Sequence, residues 1–168
     1  MKKKLTDSSV ICIVAAVLML VAIFLPYAVA RADFRAMIQQ LPQSELESML
    51  QVSMVKFVKI YTSIAEGVSV AKFCGTLVGI MAVAAVAGGV LAFLKKPAPL
   101  LFCNVLAFAA FYLHNGNYTN RGVVPSWEYR YGIGYYLFFV AAIVSVAGAI
   151  WMLRERKKDP EPEKEEEE

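Results

Sequence analysis

Four long stretches of this sequence contain no Asp, Glu, Lys or Arg, and they restrict the possible folds more than any other feature. They are residues 8–30, 73–94, 98–114 and 132–153, here named TM1 to TM4. A helix rises about 1.5 Å per residue, so about 20 apolar residues cross a hydrocarbon core of about 30 Å. A charge at the centre of such a helix would cost about 2.5 to 3.5 kcal/mol on the insertion scale. The pattern therefore predicts an all-α membrane protein, a four-transmembrane-helix bundle with residues 1–153 as one domain.

The composition agrees with a chain that lies in a membrane. Hydrophobic residues make up 58% of the 168 residues, and the mean hydropathy is +0.54. The formal net charge is only +3, and the basic residues flank the apolar stretches instead of forming one stripe, so we expect no nucleic-acid partner. The three cysteines, Cys12, Cys74 and Cys103, lie inside apolar stretches and form no CxxC pair. Their positions predict neither a disulfide framework nor a zinc site.

Basic residues beside the stretches predict the orientation. They are found before TM1 (Lys2, Lys3, Lys4), between TM2 and TM3 (Lys95, Lys96) and after TM4 (Arg154, Arg156, Lys157, Lys158). By the positive-inside rule, both termini are expected in the cytoplasm of a multi-pass protein of the plasma (inner) membrane. Two alternatives remain: TM1 could be a signal peptide cleaved near Ala30, and the short TM3 could be a re-entrant segment.

The loop between TM1 and TM2, residues 31–68, is predicted to form an extracytoplasmic pair of amphipathic helices. Its first half places apolar residues at helical spacing: Phe34, Met37, Ile38 and Leu41. Pro42 interrupts this helix, and Ser44 and Glu47 then have the spacing of a capping box, which predicts a second helix from Ser44 to about Ala65.

The apolar side of the second helix is a candidate partner-binding face. It carries Leu50, Met54, Phe57 and Tyr61. Met37, Met49 and Met54 would suit an adaptable binding surface, although methionine also fills gaps in ordinary cores. The alternative is that the apolar faces of both helices pack on the chain's own bundle or on lipid.

The loop between TM3 and TM4, residues 115–131, combines aromatic rings with charges. Its candidate partner-binding residues are Trp127, Tyr129, Arg130 and Tyr131. Rings beside guanidinium groups can hold a sugar, a lipid headgroup or a peptide, with cation–π contacts of about 0.5 to 1 kcal/mol each. The alternative is an interfacial belt that anchors TM4. Asn117 also begins a glycosylation acceptor sequence, which matters only in a eukaryotic secretory pathway.

Small and polar residues inside the stretches predict how the spans pack. TM2 has a GxxxG motif at Gly75 and Gly79, and TM4 has Ser145 and Gly148. Small residues let helix backbones approach closely in lipid, so we expect these positions to pack the bundle within one chain. The alternative is a homo-oligomer through the GxxxG motif. Asn104 in TM3 is expected to form a hydrogen bond between helices, worth about 1 kcal/mol.

Residues that could support catalysis or metal binding are sparse. No charge lies inside a span, which disfavours an ion-coupled transporter. His114 is the only histidine, so a metal site would need carboxylates such as Glu66 or Glu128 from other segments. The sequence has no GxSxG, HExxH or P-loop pattern. We therefore expect no enzyme activity, no cofactor and no metal. Residues 154–168 are predicted to be a disordered, charged cytoplasmic tail.

These observations lead to the expectation of a noncatalytic integral membrane accessory or scaffold subunit. It would bind a membrane or envelope protein through its extracytoplasmic helices and its aromatic loop, with the lipid bilayer around its spans. The alternative is a small transporter or lipid-handling protein with a cavity inside the bundle. The chain is similar to tetraspanin-like, claudin-like and MARVEL-like proteins in topology only, because it has no CCG loop and no W-GLW-C-C pattern.

Overall fold

The computed structural model describes residues 7–40, 42–63 and 68–158 of the chain. Its elements are, in order, α1 (Asp7–Phe24), β1 (Pro26–Ala30), α2 (Ala32–Ile38), α3 (Gln43–Leu50), β2 (Gln51–Ser53), α4 (Met54–Ser63), α5 (Val68–Phe93), α6 (Pro97–Asn120), β3 (Tyr129–Tyr131) and α7 (Ile133–Lys158). Most of the described chain is helical, and α1, α5, α6 and α7 are long and apolar enough to cross a membrane. The prediction of four apolar helices of membrane-spanning length is confirmed, and they indicate a multi-pass membrane protein.

The four long helices form a bundle in which each helix packs against two others. α1 lies between α5 and α7, and α6 completes the ring by contacting both α5 and α7. Large side chains fill the interior, and Met19, Met81 and Phe138 are completely buried there. The rings of Phe111 and Phe138 stack with their centroids 4.6 Å apart, which joins α6 to α7. The bundle is therefore held by close side-chain packing.

The predicted end of TM1 is wrong. α1 ends at Phe24, and residues 26–30 form a strand instead of the last turns of the helix. Proline has no backbone N–H and disfavours helical geometry in the residue before it, so Pro26 keeps Leu25 out of the helix, which ends at Phe24. The lysines before TM1, at positions 2 to 4, lie outside the described residues.

The helices that contain TM3 and TM4 run further than the predicted spans. α6 continues to Asn120 and stops where Gly122 adopts a positive φ of 66°. The Val123 N–H donates to the Tyr118 carbonyl, which is the pattern of a glycine-terminated helix. α7 continues to Lys158, so residues 154–158 are helical and do not belong to a disordered tail. Arg, Glu and Lys are good helix formers, and residues 159–168 lie outside the described residues.

A three-stranded antiparallel sheet that the sequence did not predict lies at one end of the bundle. The strand order is β2-β1-β3, with Ala28 opposite both Val52 and Tyr131. The three strands come from three separate parts of the chain, so their pairing follows no local period in the sequence. The aromatic loop therefore contributes Tyr129–Tyr131 to a sheet edge.

The predicted single helix from Ser44 to Ala65 is wrong, because β2 divides it into α3 and α4. α3 begins at Gln43 after Pro42, so Ser44 lies within the helix and is not its N-cap. The capping serine of this region is Ser53, whose Oγ accepts a hydrogen bond from the Lys56 backbone N–H at 3.2 Å. Residues 64–67, where the second helix was expected to end, lie outside the described residues.

The sheet and the short helices α2, α3 and α4 form a cap on the bundle, which consists of residues 26–40, 42–63 and 121–132. α4 packs on α5, and the Gly132 N–H donates to the Tyr27 carbonyl at 2.7 Å. Two glycines allow α7 to begin directly against the end of α1. A Cβ on Gly132 would collide with the Pro26 carbonyl, and one on Gly134 would lie 2.8 Å from the Ala22 carbonyl oxygen.

Candidate functional site

Tyr27 is the centre of an aromatic cluster between the cap and the bundle. Its ring is completely buried, with five ring neighbours at centroid distances of 5.7 to 6.3 Å. These neighbours are Phe57, His114, Tyr118, Tyr131 and Tyr135. Burial raises the pKa of Tyr27 above its usual value, and the nearby hydroxyls of Tyr131 and Tyr135 raise it further. Tyr27 thus remains a neutral hydrogen-bond donor at physiological pH.

The predicted partner-binding face of the second helix is largely internal. Met54 and Phe57 are buried, and the Phe57 ring lies 4.7 Å from the Tyr118 ring. Tyr61 is partly buried and stacks on Tyr118, with the ring planes 11° apart. Leu50 is partly buried against Phe34 and Ile38 of α2. The apolar face packs on its own chain because β2 holds α4 close to the bundle, so Met54 and Phe57 are not accessible to a partner.

The aromatic loop separates into buried and exposed residues. Tyr131 stacks on Tyr135 at 4.0 Å, and the Tyr129 hydroxyl donates to the Met49 carbonyl at 3.1 Å. Burial, followed by the adjacent Glu128 charge, raises the pKa of Tyr129. These two tyrosines hold the cap together, whereas Trp127 is 62% exposed and Arg130 also points outward.

Trp127 is fixed in place although most of its surface is exposed. Its ring meets the ring of Phe34 edge to face, at 5.6 Å and 88°. Phe34 is buried on α2 and also contacts the ring of Tyr129 at 5.4 Å. Met37 and Met49, on α2 and α3, are 58% and 39% exposed. The cap therefore presents one aromatic side chain on a packed support, with two exposed methionines on neighbouring helices.

Next to Arg130, the cap has a pocket of about 560 Å³ where β1 leads into α2. Its charged residues are Arg31, Asp33, Arg35 and Arg130. Of these four residues, only Arg130 was predicted as a site residue. Arg31 and Arg35 have a spacing of four residues in the sequence, but the strand that brings Arg130 beside them left no local pattern.

The predicted helix-packing residues have different environments. Gly148 of α7 faces α1 so closely that a Cβ there would lie 2.6 Å from Cys12 Sγ. The thiol of Cys12 points to the Ser145 carbonyl oxygen at 3.7 Å. In α5, a Cβ on Gly75 would lie 3.4 Å from Val58, whereas Gly79 has no side-chain neighbour within 4 Å. The GxxxG motif therefore does not pack as a unit in the described bundle, and Gly148 supplies the close helix contact.

Several polar atoms are buried in the bundle without a hydrogen-bond partner among the described residues. They are both amide atoms of Asn104, both imidazole nitrogens of His114, the Tyr118 hydroxyl and the Ser145 hydroxyl. The predicted hydrogen bond from Asn104 to another helix is not present. Its side chain lies instead beside Gly88, whose Cβ would be 3.4 Å from Asn104 Oδ1. Within the described ranges, no three His, Cys, Asp or Glu side chains come together as a metal site.

Comparison with known proteins gives no relative from which a function could be transferred. No family model, no curated protein and no solved structure matches the chain. Function is therefore inferred from the residues that the cap presents.

Proposed function

We propose that this chain is a noncatalytic membrane accessory or scaffold protein that binds a protein partner through its cap. The observation that carries the proposal is the exposed pair of Trp127 and Arg130 on a well-packed support. Tryptophan and arginine are enriched among the residues that dominate interface energies. A tryptophan that is already ordered loses little side-chain entropy on binding, which favours affinity.

The exposed methionines extend this surface. Met37 and Met49 are flexible and polarisable, so they can adapt to the shape of a partner. They replace Met54 and Phe57 as the apolar part of the proposed interface, since those two side chains are buried.

The proposed setting is a plasma membrane crossed four times, with the cap on the extracytoplasmic side. Large apolar residues remain exposed along all four long helices, which suits contact with lipid; they include Val14, Val17, Val83, Val86, Phe102, Val105, Val140 and Ile143. Lys95 and Lys96 follow the C-terminal end of α5, whereas Gly75, near its N-terminal end, lies beside Val58 of the cap. Arg154 and Arg156 lie near the C-terminal end of α7, whereas the cap adjoins its N-terminal end. The positive-inside rule then favours an extracytoplasmic cap.

The packing of the bundle supports this role over the alternative of a small transporter or lipid-handling protein. Such a protein needs a cavity at membrane depth, whereas Met19, Met81, Phe111 and Phe138 fill the space between the helices. Asn104 and Ser145 lie at close helix contacts: a Cβ on Gly88 would be 3.4 Å from Asn104 Oδ1, and the Ser145 carbonyl oxygen is 3.7 Å from Cys12 Sγ.

The proposal is tested by purifying the full-length chain in mild detergent from its native membrane. We expect a protein partner at stoichiometric yield, identified by mass spectrometry. Trp127→Ala should lower its recovery about tenfold, since truncation of a central interface residue costs about 1 to 2 kcal/mol or more. Tyr112→Ala is the matched control, because Tyr112 is 70% exposed on α6 but lies outside the cap. A chain that purifies alone, or equal losses in both variants, would contradict the proposal.

A further inference from the structure

The pocket beside Arg130 has an excess of positive charge. Three guanidinium groups, those of Arg31, Arg35 and Arg130, line it together with a single carboxylate, Asp33. Its volume of about 560 Å³ lies within the range of about 300 to 1,000 Å³ that is usual for ligand sites. Among the described residues, none of the three arginines forms a salt bridge with another side chain. Their charges are therefore available to an anion from outside.

The strand register explains why the three arginines converge. Arg130 of β3 pairs with Val29 of β1. Arg31 follows two residues later with extended geometry (φ −71°, ψ 159°). The side chains of residues 29 and 31 therefore lie on the same side of the strand. Arg35 lies one helical turn further, and its N–H donates to the Arg31 carbonyl at 2.8 Å. Backbone hydrogen bonds thus fix the spacing of all three positions.

The uncharged part of the pocket lining consists of one valine, three alanines and Gln39. Val29 and Ala36 are among its lining residues. A ligand that fills the pocket would therefore combine negative charge with small apolar groups.

The position of the pocket favours a ligand in the aqueous phase. β1 leaves the bundle at Pro26, and the pocket lining begins at Val29, three residues later, and continues through Arg31. Measured along the strand, Val29 is about 10 Å and Arg31 about 16 Å from Pro26, at about 3.3 Å per residue. The headgroup layer on one side of a bilayer is about 5 to 8 Å thick. Along the chain, the pocket residues are therefore further from the end of α1 than the headgroup layer is thick, which favours a ligand in the aqueous phase.

We propose that this pocket binds an acidic segment of the partner protein, with its Asp or Glu carboxylates held by the three arginines. The inference rests on the partner-binding function proposed above. Guanidinium groups hold carboxylates with two parallel hydrogen bonds, which gives geometric selectivity beyond charge alone. The excess of positive charge also speeds association with an acidic partner and disfavours basic ones.

The test uses the full-length chain in nanodiscs of phosphatidylcholine and a fluorescent hexaglutamate peptide as the probe. Arg130→Gln should raise the dissociation constant about tenfold, because it removes one guanidinium group from the pocket. Lys59→Gln is the matched control: it removes one exposed positive charge from α4 of the same cap, and we expect a change below about twofold. Arg130→Lys keeps the charge but loses the two parallel hydrogen bonds of a guanidinium group. Its dissociation constant should therefore lie between those of the other two variants. Size-exclusion elution confirms that each variant is folded.

Several results would overturn the inference. Equal weakening by Arg130→Gln and Lys59→Gln would show general attraction to a basic surface. Inorganic phosphate that binds through Arg130 while hexaglutamate does not would indicate a phosphate site. Arg130-dependent binding to phosphatidylglycerol vesicles, without peptide binding, would indicate a lipid headgroup.

The failure of this inference can be distinguished from the failure of the proposed function. A partner that is lost on Trp127→Ala but still recovered at full yield with Arg130→Gln would support the accessory role and overturn the acidic segment. Arg130-dependent peptide binding by a chain that purifies alone would support the acidic-peptide site and contradict the accessory role.

Discussion

The Tyr27 hydroxyl donates a hydrogen bond to Asn115 Oδ1 at 2.7 Å, which links the central strand of the cap to the last turns of α6. The same side chain contacts rings from α4, α6, β3 and α7. The cap and the bundle therefore share one buried aromatic core, and the exposed residues of the cap are positioned by it.

Replacement of Tyr27 by phenylalanine should destabilise the fold modestly. The ring contacts are kept, while the hydrogen bond to Asn115 is lost, so we expect a decrease of about 1 kcal/mol in the free energy of unfolding. Tyr27→Ala should cost about 3 to 5 kcal/mol, since it also leaves a cavity. Reversible unfolding in micelles measures both values. Tyr112→Phe is the control, because Tyr112 is exposed; an equal effect there would contradict a specific role for Tyr27.

The burial of Tyr27 also predicts how stability depends on pH. Its pKa is raised in the folded protein, chiefly because the phenol is removed from water. The unfolded chain begins to lose this proton near pH 10, whereas the folded chain keeps it. The contribution is therefore complete below about pH 10 and decreases above it, by about 1.4 kcal/mol per pH unit.

This dependence is measured as the difference between the native chain and Tyr27→Phe. Unfolding free energies between about pH 8 and pH 11.5 should fall more steeply for the native chain above about pH 10, and in parallel below it. Lysines that titrate in the same range are common to both proteins and cancel in the difference. Parallel curves over the whole range would show that Tyr27 ionises equally in both states.

Two of the three glycines predicted to pack helices should respond in opposite ways to alanine. Gly148→Ala places a methyl group 2.6 Å from Cys12 Sγ, so we expect a loss of about 1 to 3 kcal/mol. Gly79→Ala meets no atom within 4 Å and should be neutral or slightly stabilising, since alanine is the better helix former. The double variant Gly148→Ala with Cys12→Ala should recover part of the loss. Comparable destabilisation by Gly79→Ala would indicate packing, within or between chains, that involves the GxxxG motif.

Ser53, the N-cap residue of helix α4, gives a further prediction. Ser53→Ala removes the acceptor for the Lys56 N–H and should destabilise the cap by about 1 kcal/mol. Ser44→Ala changes a residue within α3, where alanine favours the helix, so stability should be kept or slightly raised. Hydrogen exchange of the amides at positions 54 to 57 reports the local effect. A larger loss of stability for Ser44→Ala than for Ser53→Ala would indicate that Ser44 is the capping residue, as the capping-box spacing predicted.

The spans were predictable because membrane insertion depends on local composition, which a sequence states directly. The four uncharged stretches correspond to α1, α5, α6 and α7. The ends of these helices were less predictable because they depend on the conformation of the residues that follow. Pro26 ends α1, but the residues after it are also apolar, so the uncharged stretch continues beyond the end of the helix. Gly122 stops α6 only when the backbone adopts a positive φ there.

The sheet and the pocket could not be predicted because they depend on contacts between distant parts of the chain. The helical spacing from Leu46 to Tyr61 is real, yet Val52 pairs with Ala28, and this pairing breaks the helix. The same contact buries Met54 and Phe57, which changes the part of the cap that is free to bind a partner. Arg130 was selected for its aromatic neighbours, whereas its place beside Arg31 follows from strand register.

The pairing of β1 with β3 has a consequence for biosynthesis. β1 follows the first long helix and β3 precedes the last, so β3 is made roughly 100 residues after its partner. Protein synthesis adds about 5 to 20 residues per second, so the N–H and C=O groups at one edge of β1 remain unpaired for several seconds. In the proposed membrane setting, the sheet closes only when the ends of α1 and α7 that adjoin it reach the same side of the bilayer. A closed cap thus reports that the whole chain has been inserted in one consistent topology, and a partner that recognises the cap would bind only correctly inserted chains.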